Sequence, residues 1–394
     1  MLNSLLSSGI TDMWNSIINL FSFIPNYGWM IVVFTICLKL VLSPLDFWQR
    51  KVSRDTAKKQ AKMQPELAKL QKKFGHNKQI LNQKTMELYK REKFNVAGSC
   101  VGMLVNLALT LFIFISLFTS LIAISHDKIL NQYDTLNATY QASIVQEYKQ
   151  TDTENFAEID ARLKQESKSE AILALGAGAT EEEIKAKTNE IYATKIENAQ
   201  NDVLEKYNEI KDSWLWVSSV WRPDTSASSF PNYADYVGMA DLYNSQYYKD
   251  LIGENASEEK IAQAKSELQA EYNNVTAKVQ EAYSGWNGYF ILVILAAVVT
   301  YLSMIITQMA QSKKKQGDNV VQPQQAGAMK IMKYLMPILM IIFTIGYSAA
   351  FAIYIVVNSI MSVILSFTFL KLLEFMDKKK EEKQPSSNKP EYSR

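Results

Sequence analysis

Five apolar runs of about 17–27 residues, set between densely charged segments, leave this chain few folds to choose from. They cover 29–45, 98–124, 289–309, 331–347 and 350–370. A stretch of ~20 apolar residues is long enough to cross the ~30 Å hydrocarbon core of a bilayer as a helix. A transmembrane β-barrel needs period-two alternation instead, which these runs lack. Whole-chain averages conceal the pattern: 48% of residues are hydrophobic, the formal charge is +2 and mean hydropathy is near zero. The sequence therefore predicts an all-α polytopic membrane protein with five transmembrane helices.

The last two runs could be drawn as one block over 331–370, but such a helix would be about 60 Å long, twice the hydrocarbon thickness. Basic residues flank both outer ends, Lys330 and Lys333 before, Lys371 and Lys378–Lys380 after. Both ends thus belong on one side of the membrane, with a turn of small residues at 346–350 between them.

Basic residues also set the expected orientation. Segment 46–96 carries 14 Lys/Arg against 5 Asp/Glu, 312–333 contains Lys313, Lys314 and Lys315, and residues 1–38 contain no Lys or Arg. The long segment 126–284 has 15 basic and 28 acidic residues. This places the N-terminus outside and the C-terminus in the cytoplasm. The expected layout is an interfacial amphipathic helix over 1–27, transmembrane helices over 28–45, 97–124, 286–311, 331–347 and 349–371, and a cytoplasmic basic helical hairpin over 46–96. A large extracytoplasmic helical domain occupies 125–285, a cytoplasmic loop 312–330 and a cytoplasmic basic tail 372–394.

Local patterns fill in this layout. Met13, Trp14, Ile17, Ile18 and Phe21 make an apolar stripe on the first helix, opposed by Asp12, Asn15, Ser16 and Asn19. In the hairpin, Met63, Leu67, Leu70 and Phe74 form one stripe, Gly75-His76-Asn77 breaks it, and Leu81, Leu88 and Tyr89 answer it on a second helix. Thr180 to Glu183 reads as a capping box opening a helix to about Asp212, and Ser257 to Tyr283 reads as another helix. The stretch between, WLWVSSVWRPDTSASSFPNYADYV, with Pro223 and Pro231, cannot continue a helix.

No enzyme motif stands out. The two histidines, His76 and His126, lack metal-ligand neighbours, the two cysteines, Cys37 and Cys100, form no CxxC motif, and no Gly-rich phosphate loop or nucleophile elbow is present. The apolar runs do carry polar stripes. Thr35, Lys39 and Ser43 recur every fourth residue and share a helix face. Tyr354, Asn358, Ser362 and Ser366 repeat the spacing in the last run, Thr300, Ser303 and Thr307 align in the third, and Asn106 and Thr110 in the second. Each stripe alone has a bland explanation, since Ser and Thr often bond the carbonyl four residues back. Four together, one bearing a cation, suggest a wet cavity between helices. Two accounts of Lys39 stand: it snorkels toward the inner interface, or it faces the protein interior at a functional site.

Residues 26–51, NYGWMIVVFTICLKLVLSPLDFWQRK, followed by MQPELAKLQKKFG, LYKREKFNVAGSC and the final SAAFAIYIVVNSIMSVI, resemble the YidC/Oxa/Alb membrane protein insertases of bacterial YidC type. WLWVSSVWRPD resembles that family's short outer segment before the third span. The resemblance covers roughly 26–124, 213–224 and 286–372. It implies a bacterial plasma-membrane insertase and chaperone, not an enzyme, needing no cofactor or metal. It implies a hydrophilic groove open to cytoplasm and lipid, with Lys39 where the family usually has arginine. Charge is kept, but the planar bidentate fork is lost. Ala97 and Gly102 stand where family members carry prolines, Ile355 where they often carry Trp, and 126–212 and 232–284 read as insertions. The implied partners are nascent membrane proteins and membrane lipid. Ribosome, signal-recognition machinery and Sec translocon are further candidates, and the outer domain's partner is unknown. Rival expectations are a solute or ion transporter using Lys39 as substrate counter-charge, and a membrane-anchored surface scaffold.

Overall fold

The computed structural model describes residues 2–92, 96–144, 156–253, 256–312, 335 and 338–382. Among them the chain is all-helical, with isolated β-bridges at Trp214–Val217 and Ser228–Trp286. The first half comprises α1 (Leu2–Asn19), α2 (Tyr27–Phe74), α3 (Lys78–Arg91) and α4 (Val96–Ile144). Helices α5 (Phe156–Leu175), α6 (Glu181–Ile210), α7 (Tyr233–Ala240), α8 (Gln246–Ile252) and α9 (Glu258–Ala282) follow. The chain then forms α10 (Ile291–Ser312), a short helix α11 over 338–346, and α12 (Ala349–Glu382).

Three segments are long and apolar enough to cross a membrane: Tyr27–Val52, Leu111–Ile144 and Ala349–Lys379. A shorter apolar helix spans Ile291–Ile306. Of the expected span at 331–347, residue 335 and 338–346 are described and helical, and its other residues lie outside the described residues. The chain leaves helix at Tyr347 and Ser348 before α12 starts, at the small-residue turn the sequence indicates.

Several expected borders fall inside single helices. Helix α2 runs unbroken through 45/46, joining the first apolar run to the first arm of the hairpin despite Pro44 and Pro65. Helix α4 crosses 124/125 in the same way and continues to Ile144, and α12 passes 371 to reach Glu382. Hydropathy changes at each border, but a change of hydropathy does not end a helix, and no glycine or proline follows within the next turn.

The hairpin closes as its stripes require. Met63 and Leu88 are buried against each other with Leu67, Leu70 and Tyr89 packed around them. The Asn77 side chain caps α3 by accepting from the Gln79 and Ile80 amides, each at 3.2 Å. Arg91 and Glu66 add an ion pair across the two arms.

Two cores share α4. In the apolar bundle, Leu117, Leu121, Ile124 and Ile129 pack with Trp14 and Ile18 of α1, Met30, Ile31 and Phe34 of α2, and residues 349–356 of α12. Helix α1 therefore packs on protein, and the Trp14 indole donates to Ser116 at 3.2 Å. Met13, expected on the same face, is exposed, because one residue of offset turns it by about 100°. Further along, Tyr133, Leu136, Tyr140 and Ile144 enter a second core with Ile159, Leu163, Val203, Tyr207, Phe230, Tyr272 and Val279. This helical lobe is built on aromatic rings: Tyr133 stacks on Tyr272 at 4.9 Å, and Tyr207 meets Phe230 edge-on at 5.2 Å. The capping box forms as read, with Thr180 and Glu183 bonding reciprocally.

Lobe and bundle meet at segment 212–224 and the loop before α10. Asn287 is fully buried, and its amide bonds the backbone of Ser219 in both directions and donates to the Arg222 and Pro223 carbonyls, all within 2.8–3.1 Å. Asp224, equally buried, caps α10 by accepting from the Tyr289 and Leu292 amides at 2.9 and 2.5 Å. A side chain at Gly288 would collide with that carboxylate, so only glycine fits there.

One ionisable group tests the lobe's energetics. Burial of Glu271 raises its pKa, against a smaller lowering by the hydrogen bond from Asn137. The folded lobe thus favours the protonated form, so its stability falls as pH rises from the ordinary glutamate range through the folded pKa. Glu271→Gln keeps the acceptor from Asn137 and removes this penalty. The expected outcome, read by near-UV circular dichroism of the detergent-solubilised chain, is a higher melting midpoint at pH 7 than wild type. The gain should shrink toward zero as pH is lowered below the ordinary glutamate range.

Candidate functional site

In α2, α4 and α12, regular backbone bonding satisfies most peptide groups internally, so polar side chains decide where water or a polar ligand can enter. One cavity of about 130 Å³ forms among them, lined by Thr35, Leu38, Lys39, Leu42, Leu45 and Asp46 from α2, Ile113 and Phe114 from α4, and Tyr354 and Asn358 from α12. Of the sequence-predicted residues, Thr35, Lys39, Tyr354 and Asn358 come together there. They derive from two helices distant in sequence, and their four-residue spacing puts each pair on one face.

The others serve differently. Ser43 lies half-buried one turn beyond Lys39 and does not line the cavity. Thr300 meets Ser359 at 3.2 Å, a contact between α10 and α12. Ser303 is half-buried away from the cavity. Ser362 donates to the Asn358 carbonyl at 2.7 Å and Ser366 to the Ser362 carbonyl at 2.5 Å, the bland back-bonding already noted. The side chains of Asn106, Thr110 and Thr307 lie outside the described residues. Thr35 itself is fully buried and donates to Ile31 O at 2.6 Å, so it gives the cavity little beyond its methyl and a lone pair.

The residue that sequence reading missed is Asp46. Its Oδ2 lies 3.6 Å from Lys39 Nζ, and the two side chains are 32% and 18% exposed. The separation is that of an ion pair without a direct hydrogen bond. A seven-residue interval is two helical turns, so the pairing was available from spacing alone. Pro44 lies between the two and lacks the N–H that would bond the Leu40 carbonyl, leaving a backbone acceptor free of its usual helical partner. The cavity therefore holds a cation, an anion, an amide and a phenol between apolar walls.

Large apolar side chains on these helices are exposed: Leu40 and Val41 on α2, Phe112 and Ile115 on α4, Ile360, Ile364 and Phe367 on α12. So many large apolar side chains exposed on helices of this length fit segments long and apolar enough to cross a membrane. At the far end, Phe47 packs edge-on against Phe369 at 5.3 Å, and Arg54 pairs with Asp377, binding α2 to α12 beyond the cavity.

Residues 19–190 match the family model described as 60Kd inner membrane protein. The membrane protein insertase YidC of Leptospira interrogans is 40% identical over 97 residues, 25% of this chain and 14% of that protein. YidC of Fusobacterium nucleatum is 40% identical over 92 residues, 23% of this chain and 43% of that protein. YidC of Xanthomonas oryzae is 42% identical over 89 residues, 23% and 15% of the two chains. The matched stretches thus span less than half the length of each relative. No solved structure matches the chain.

Thr35→Val offers a check on how the cavity is built. The hydroxyl bonds only its own helix, and valine keeps the branched shape, so stability should change by less than about 1 kcal/mol. Thermal midpoints of the two proteins in the same detergent measure it. A large loss would mean that Thr35 holds a partner across the cavity.

Proposed function

We propose that this chain is a membrane protein insertase of YidC type, one that moves nascent hydrophobic segments from the cytoplasm into the lipid bilayer. The match of residues 19–190 to the 60Kd inner membrane protein model and the similarity to three YidC proteins support this reading. The observation that carries the proposal is the cavity in which Lys39 and Asp46 meet Tyr354 and Asn358 between helices with exposed apolar sides. A polar leading stretch needs a hydrated, charged path to leave the cytoplasm, and the apolar segment behind it needs direct access to lipid. Polar lining and apolar flanks supply both.

The depth of the cavity follows from two exposed tryptophans. Trp29 and Trp48 are each at least half exposed and stand 19 residues apart on α2. That interval is about 28 Å, close to the hydrocarbon thickness, and tryptophan favours the two interfaces. Lys39, ten residues from one and nine from the other, then lies near the middle of the bilayer. A charge at that depth costs ~2.5–3.5 kcal/mol on insertion scales unless it is paired or wet, which favours the interior site over snorkelling.

In this scheme α2, α4, α10, the 331–347 segment and α12 are five spans. The basic hairpin built from the end of α2 and α3 lies in the cytoplasm, and the tyrosine-rich lobe lies outside. Clients approach past the hairpin. An acidic leading stretch is drawn toward Lys39, its apolar helix moves along the exposed sides of α10 and α12 into lipid, and the leading stretch is released on the lobe side. Asn106, Thr110, Thr300, Ser303, Thr307, Ser43 and Ser362 extend the polar path along the same helices in this scheme. Ribosome, signal-recognition machinery and Sec translocon are candidate partners through the basic hairpin and tail, where phosphate contacts need charge and not sequence.

Two measurements test this. With Cys37 and Cys100 replaced by serine, Lys78→Cys should be shielded from an impermeant thiol reagent in intact cells, while Asn198→Cys should be labelled; the reverse pattern would remove the orientation. The second uses purified protein in liposomes and one client whose leading tail is varied in charge. Lys39→Arg should retain insertion. Lys39→Ala should slow acidic-tailed clients several-fold more than neutral ones, and Lys39→Glu should be worse still, since charges in a partly desolvated site are poorly screened. Equal insertion of every tail by Lys39, Ala and Glu versions would make this lysine an anchor only.

A further inference from the structure

We infer that Asp46 is a resident counter-ion that an incoming client carboxylate must displace, so that it sets how acidic a leading tail must be before Lys39 favours it. The inference rests on the insertase reading and concerns how that same cavity selects.

Three observations carry it. Asp46 lines the same cavity as Lys39, 3.6 Å from its ammonium, so the pair gives the cavity no net charge while no client is present. At that separation no direct hydrogen bond joins them. The ammonium's donors are therefore available to a stronger acceptor. A second cation, Arg50, stands four residues beyond Asp46, one turn further along the same face of α2. Arg50 lies 6.0 Å over the Phe369 ring, outside the residues that line the cavity. Asp46 thus stands between two cations along one helix face and is paired with Lys39 inside the cavity. A tail bearing one carboxylate exchanges one anion for another and gains little. A tail bearing two carboxylates can replace Asp46 and still bring a charge for Arg50, so preference should rise with the second charge.

The test uses the full chain in liposomes and a single-span client whose leading tail carries zero, one or two aspartates. Asp46→Asn keeps the shape and removes the charge. It should raise insertion of the one-aspartate client by about threefold, the scale of a partly exposed ion pair, to the level wild type shows with two. The neutral client is the reference, and the readout is the ratio of one-aspartate to neutral insertion for each variant. Asp46→Glu should behave as wild type, and Asp46→Ser, a second uncharged variant, should behave as Asn, which guards against a folding defect in either. In a Lys39→Ala background, Asp46→Asn should lose most of its effect on the one-aspartate client. If Asp46→Asn and Asp46→Ser leave the tail preference unaltered while Lys39→Ala still abolishes it, Asp46 is no counter-ion and the basic cavity stands without it. If Lys39→Ala also leaves every tail alike, the insertase reading of the cavity fails together with the inference.

Discussion

Two fully buried side chains, Asp224 and Asn287, fix where the helices of the bundle begin, and the geometry of the cavity depends on that. Backbone that leaves helical form at the edge of an apolar bundle exposes amides and carbonyls that must find partners. Asn287 satisfies the turn at 219–223, and Asp224 satisfies the first amides of α10. The same turn then offers its own carbonyls onward. Val220 and Arg222 accept from the Ala350 and Ala349 amides, each at 2.8 Å, which starts α12. Asn26 donates to the Ser213 carbonyl at 2.8 Å, and Gly28 passes so close to Trp214 that no side chain would fit, which starts α2. Lys128 of α4 reaches Tyr27, whose ring meets Trp221 at 5.1 Å. Four helices are thereby set in register at one end. Tyr354 and Asn358 then arrive within two or three turns opposite Thr35 and Lys39.

Electrostatics divides the molecule in a complementary way. At the hub, the Asp224 carboxylate meets fixed donors and the N-terminal end of a helix, where negative charge is favoured. In the cavity, Lys39 and Asp46 are held at a longer distance, 3.6 Å, without a direct hydrogen bond. A half-buried pair with poor hydrogen bonding repays little of its desolvation and is weak evidence for stability. The first arrangement builds the fold. The second leaves charge that is not committed to holding the fold together.

Much of this was legible in the sequence, for reasons that can be stated residue by residue. The hairpin closed because its stripes had the helical period and Gly75 to Asn77 lacked it. Thr180 and Glu183 formed a capping box because the motif is local and needs no tertiary partner. The continuity of α2 through Asp46 was not legible from hydropathy, which reports solvent and not backbone. Treating Asp46 as the end of a span hid its place on the face of Lys39. The serine and threonine stripes promised more than they delivered, since Ser362, Ser366 and Thr35 turn their hydroxyls to their own helices. The lobe's core was invisible for another reason. Tyr133, Tyr207, Tyr236 and Tyr272 lie on four separate helices, and no period within any one of them announces a shared aromatic cluster.

Helix α4 carries the argument from lobe to cavity. Phe114 lines the cavity, Leu117 and Leu121 are buried in the bundle, and Tyr133, Leu136 and Tyr140 are buried in the lobe, all on one unbroken helix. From Phe114 to Tyr133 is about 28 Å along a helix axis, with a fixed turn of about 100° per residue. Rotation of α4 about its axis would carry both sets of side chains together. The lobe's close-packed rings resist such rotation, because interiors at crystal-like density tolerate little displacement. Packing at residues 133–144 therefore acts together with the contacts of Leu117, Leu121 and Phe118 in the bundle to hold Ile113 and Phe114 toward α2 and α12. A lobe that varies in sequence can still serve the cavity, provided it keeps α4 in this angular setting.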